Sequence, residues 1–182
     1  MFADDLKLYS SFLDSNPHFS IHLVSAWAST WQLPINHSKS QHLHLGPITQ
    51  FPPYEIGGYK IPQLETNTDL GTITTSKLKY NGHIASNSYK VHSRACIILR
   101  SFYSHNHTLL RRAFISFVCP ILEYASHVWN PFTYKSINDC EHVQRHFTSR
   151  IPAFKHLSYS ARLALLNLDS LEIRRRRLDI IL

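Results

Sequence analysis

The sequence predicts an α+β protein: a small antiparallel sheet with one helix over residues 1–80, then an all-helical region over residues 81–182. Two changes near Tyr80 predict this. Strand alternation and glycine turns give way to apolar residues at helical spacing. The charge changes as well. Residues 1–91 carry six Lys and no Arg against six acids, whereas residues 92–182 carry eleven Arg and two Lys against six acids. The whole net charge of +7 therefore falls in the second half. The boundary is placed within residues 76–86.

In the first half, Met1–Tyr9 reads as a hairpin bent at Ala3-Asp4-Asp5. Asn16-Pro17 pairs a capping residue with a proline suited to the first helical position. Phe19, Leu23, Val24, Trp27 and Trp31 follow at helical spacing and predict a core-facing stripe, with the tryptophans packing rather than binding a ligand. Pro34 ends that helix. His42–Leu45 alternates as a strand, Gly57-Gly58 marks a hairpin within Tyr54–Leu64, and Leu70–Thr74 reads as a further strand. In the second half, helices are expected at about 86–103, 108–127 with a kink at Pro120, 134–151, from Ser158, and through Leu171, Arg175 and Leu178.

Several classes are set aside. Cys96, Cys119 and Cys140 are too widely spaced for a CxxC metal site, so reduced and mostly buried thiols are expected. Asp4 and Asp5 stand where a secretory signal would be basic, and the apolar run at Ala113–Leu122 is too short to span a bilayer. An intracellular protein, cytoplasmic or nuclear, without a membrane partner is expected. The thirteen His form no ligand constellation: the spacing of His142 and His146 on one helix face could hold zinc, but no third ligand with evident geometry stands near, apart from Cys140.

The first motif is Asp4-Asp5 between apolar residues. Alone it fits a surface turn. It also fits a metal site, because Mg²⁺ takes carboxylate and phosphate oxygens. Alternation along a strand would put the two carboxylates on opposite faces, so Asp4 is the better ligand for a catalytic ion. A two-metal site needs a further acid, and Asp14, Glu55, Glu65 and Asp69 each stand apart in the sequence.

Phe2-Ala3-Asp4-Asp5 followed by Leu6-Lys7-Leu8-Tyr9 resembles the Tyr/Phe-Ala-Asp-Asp box of reverse transcriptases, specifically those of non-LTR (LINE-type) retrotransposons. Further stretches follow in that family's order: Trp27…Trp31-Gln32-Leu33…Asn36-His37-Ser38-Lys39, then Asp69-Leu70-Gly71-Thr72-Ile73, then Pro120–Ala125 with Val128–Pro131. Val143-Gln144-Arg145 and His156–Tyr159 with Arg162-Leu163 continue the series. Together they span roughly residues 2–178.

The resemblance implies the C-terminal part of a polymerase palm over 1–80 and a helical thumb and connection-like region over 81–182. It implies Asp4 and Asp5 as catalytic Mg²⁺ ligands and Lys39, on a strand, near the incoming nucleotide. Leu70 and Gly71 would lie at the primer terminus. RNA template and DNA primer are the implied partners. The family's fingers and its other catalytic aspartate lie upstream of the box, so a truncated reading frame, inactive by itself, is expected. In the basic half Arg94, Arg100, Arg111, Arg112, Arg145 and Arg150 are candidates for phosphate contact, against a merely solvated surface. Arg174–Arg177 encircle a helix, so one must lie against the core with its head snorkelling out. Two other readings stand beside the enzyme fragment: a non-enzymatic nucleic-acid-binding helical module, and a non-functional transposon remnant.

Overall fold

The computed structural model describes residues 6–10, 17–47, 53–102 and 106–181. The class is α+β, with helices and two-stranded sheets. The chain divides into two compact units, Met1–Asn67 with Thr75–Leu78, and Thr68–Thr74 with Lys79–Leu182.

In the first unit, α1 (Pro17–Thr30) begins at the expected proline. Its face differs from the expected one. Ala28 is buried and Ile21, Val24 and Ser25 are half-buried, while Phe19, Leu23, Trp27 and Trp31 are exposed. Spacing identifies an apolar stripe but not what covers it, and among the described residues nothing buries these rings. Next come β1 (His42–Leu43), β2 (Glu55–Ile56), β3 (Tyr59–Lys60) and β4 (Gln63–Leu64). The β2–β3 hairpin turns on Gly57 and Gly58, at φ 57° and 81°, which glycine adopts without a Cβ clash. The pairing of β1 with β4 is parallel, His42 opposite Gln63, so the expected wholly antiparallel sheet is corrected. The return of the chain through the β2–β3 hairpin brings β4 alongside β1 in the same direction. The expected hairpin at Met1–Tyr9 falls largely outside the described residues, and Leu6–Ser10 has no regular structure.

A further hairpin, β5 (Thr66–Asp69) and β6 (Thr72–Thr75), places Leu70 and Gly71 in its turn rather than in a strand. In the second unit α2 (Asn81–Ser101) starts five residues before the expected Ser86. Burial of His83, Ile84 and Asn87 holds that first stretch in the helix. The expected 108–127 helix is broken, not kinked, into α3 (His107–Phe117), α4 (Cys119–Glu123) and α5 (Ser126–Trp129). Pro120 has no N–H to continue α3 and starts α4 instead. Ala125, at φ 52°, turns the chain again, and the Trp129 indole N–H donates to the Tyr124 carbonyl across that turn at 2.8 Å.

The remaining helices follow their caps. Thr133 Oγ1 accepts from the Ser136 N–H to start α6 (Tyr134–Ser149), and Ser158 Oγ accepts from the Ala161 N–H to start α7 (Tyr159–Leu166). A 3₁₀ turn at Pro152–Phe154 lies between them, and α8 (Leu171–Ile181) closes the unit. Val91, Ala95 and Ile98 of α2 join Phe114, Val118, Leu122, Val143, Phe147 and Leu171 in one core. Cys119 and Cys140 are buried free thiols, and burial pushes Cys119 up to about 12. Among the described residues no helix is long and apolar enough to cross a membrane.

Candidate nucleic-acid interface

Asp4 and Asp5 lie outside the described residues. Lys39 is exposed, on a turn and not on a strand. Its N–H donates to the Asn36 carbonyl at 3.2 Å, while the Asn36 side chain accepts from the Ser38 N–H at 3.1 Å and Ser38 Oγ at 2.7 Å. An asparagine that satisfies the backbone two residues on builds such a turn locally. Beside it runs a cleft lined by Ile35–Ser38, Tyr59, Lys60 and Pro62, so Lys60 rather than Lys39 faces into it.

Leu70 has φ 45° and Gly71 φ 81°. Both values suit a two-residue hairpin turn, but only the glycine adopts its value freely. For a leucine the left-handed conformation costs ~1–2 kcal/mol. The side chain gains little in return, being 55% exposed. A partner holds the turn in place: Tyr124 Oη, at the end of α4, donates to the Leu70 carbonyl at 3.0 Å. Two sequence stretches 54 residues apart, Asp69–Ile73 and Pro120–Ala125, thus meet at this point. Leu70→Asn supplies the residue that this turn position favours, and is expected to raise stability by ~1 kcal/mol in urea unfolding.

The candidate arginines separate into two groups. Arg94, Arg100, Arg112 and Arg150 are exposed and make no ion pair among the described residues. Arg111 is half-buried and donates to the Asn167 carbonyl at 3.2 Å. Arg145 donates to Asn138 and lies over the Tyr159 ring at 5.1 Å. The Arg174–Arg177 run is committed internally. Arg174 pairs with Glu123, Arg176 with Glu172 and Arg177 with Asp169. Arg175 is the one turned to the core. Its head does not snorkel, since it is 1% exposed and its three guanidinium nitrogens lack hydrogen-bond partners among the described residues.

The stretches at 143–145 and 156–163 build a buried polar network rather than a ligand surface. Glu141 accepts from Tyr159 Oη and, at 3.1 Å, from the Leu171 N–H at the start of α8. Gln144 Nε2 donates to the Asp169 carbonyl at 3.0 Å. The buried Arg162 donates to Thr148 Oγ1 at 3.2 Å and to the Leu157 carbonyl at 2.8 Å. Burial and the Glu141 carboxylate push the Tyr159 phenol upward, so it stays a donor. Glu141 carried no distinguishing signal in sequence, because its partners are 18 and 30 residues away.

The zinc arrangement considered for His142 and His146 is also corrected. Cys140 is buried, with Ser88 Oγ at 4.0 Å from its sulfur. The sulfur near the histidines is Cys96, on α2. No protein-family model matches the chain, and no curated protein or solved structure matches it either.

Proposed function

We propose that the chain carries the palm-end and thumb portion of an RNA-directed DNA polymerase of the non-LTR retrotransposon class. The order of motifs carries this reading, from Asp4-Asp5 through Lys39, Leu70-Gly71 and Pro120–Ala125 to Arg162-Leu163. The hydrogen bond from Tyr124 to Leu70 supports it, since it joins two of those stretches at a strained, exposed turn. Strain kept at an exposed position is a mark of functional sites. In this reading Leu70 and Gly71 meet the primer terminus. Asp4 and Asp5 hold Mg²⁺ in the complete enzyme, and Lys39 lies near the leaving pyrophosphate. The exposed Phe19, Leu23, Trp27 and Trp31 of α1 are then the face that the rest of the palm covers.

The free arginines also favour a second reading, a nucleic-acid-binding module without catalysis. Both readings expect binding to an RNA–DNA hybrid that weakens as salt rises. Replacing Arg94, Arg100, Arg112 and Arg150 together by Gln should reduce the log-affinity against log-salt slope by ~0.9 for each that contacts a phosphate. Fluorescence anisotropy measures this. No binding at about 50 mM salt, low by the scale of counterion release, removes both readings.

A further inference from the structure

Two helices of the second unit, α2 and α6, pack side by side. Each carries a pair of candidate ligands one turn apart: His92 and Cys96 on α2, His142 and His146 on α6. A spacing of four residues puts both members of a pair on one helix face. The packing turns these faces toward each other. The ligand atoms of His92, Cys96 and His146 all lie within 4.8 Å of one another. Cys96 Sγ is 3.7 Å from His92 Nδ1, and the His92 and His146 ring centroids are 4.6 Å apart. The His142 ring is 6.3 Å from each of those two rings.

We propose that His92, Cys96 and His146 form a binding site for a zinc-like divalent ion, with His142 in reach of the fourth position. Several properties fit. With Zn–N of ~2.0–2.1 Å and Zn–S of ~2.3 Å, tetrahedral ligand atoms sit about 3.3–3.6 Å apart, which small side-chain rotations achieve here. The donor set, imidazole with one thiolate, suits Zn²⁺ and excludes Mg²⁺, which takes oxygen. Buried His146 Nδ1 has no hydrogen-bond partner among the described residues, and a metal would take up its lone pair. All three ligands are half-buried, which leaves a route for the ion. On binding, the Cys96 S–H bond breaks, the sulfur keeps the electron pair and donates it to the ion, and the proton goes to solvent. The site is independent of the polymerase reading, because it uses none of the residues that carry it.

The test uses the full chain without a histidine tag. Zn²⁺ should slow alkylation of Cys96 at least ~10-fold, read by mass spectrometry, with the buried Cys119 and Cys140 as internal references. Titrated Co²⁺ should give intense tetrahedral bands with a thiolate-to-metal charge-transfer band. Cys96→Ser should abolish the charge-transfer band. His146→Gln should weaken Zn²⁺ binding by ~100-fold or more, since even a supporting residue costs up to that much. His127→Gln, an exposed site away from the cluster, should change neither. Unchanged alkylation of Cys96 with Zn²⁺, or a charge-transfer band that survives in Cys96→Ser, overturns the proposal. The alkylation measurement decides the matter even if a variant fails to fold.

Discussion

Glu141→Ala is expected to destabilise the second unit by about 3 kcal/mol or more, because one carboxylate ties three helices together. Glu141 is 7% exposed on α6. It accepts from Tyr159 Oη on α7 and from the Leu171 N–H that opens α8. A negative charge at a helix N-terminus meets the positive end of the helix dipole as well as an orphan N–H. Alanine leaves a half-buried phenol and a buried backbone donor unsatisfied, each at up to ~1–3 kcal/mol. Tyr159→Phe removes its own donor and should cost only about 1 kcal/mol. Adding Tyr159→Phe to Glu141→Ala should therefore cost less than the two separate losses combined. Urea unfolding of the four chains checks this, and strict additivity would contradict a shared network.

Arg175→Met should act in the opposite direction, raising stability by ~1–4 kcal/mol. Arg175 is the fully buried member of the Arg174–Arg177 run, and no carboxylate among the described residues pairs with it. Its three nitrogens have no hydrogen-bond partner among the described residues. Desolvating a cation is costly, and here neither an ion pair nor hydrogen bonds offset it. Methionine keeps the length and flexibility of the stem and removes the charge. A raised urea midpoint with an unchanged slope is the expected result. A loss of stability would show that the guanidinium is satisfied in solution by water or a bound anion.

Local chemistry was legible in the sequence, and packing was less so. The α1 start at Pro17, the Gly57-Gly58 turn and the Ser158 cap are each written in one or two residues. The face of α1 was not, because burial of Trp27 and Trp31 depends on what covers them. Pro120 announced an irregularity, but whether it kinks or breaks a helix depended on the further turn at Ala125. The extended reading of Leu70-Gly71 followed from the neighbouring Thr72–Thr74 strand, whereas both residues adopt positive φ. The candidate metal cluster was half visible. His142 and His146 are one turn apart, but Cys96 is 46 residues before His142 and only helix packing brings it near. The Glu141 network was hidden for the same reason.

The most direct test of the polymerase reading compares two nucleic acids: a recessed DNA primer on an RNA template and a blunt hybrid of equal length. A palm-and-thumb surface with Leu70 at the primer terminus predicts tighter binding to the recessed end. Leu70→Asn should erase that preference, and the protein should be more stable for the change. Equal affinity of the native chain for the two substrates, or a preference that survives in Leu70→Asn, would contradict the account.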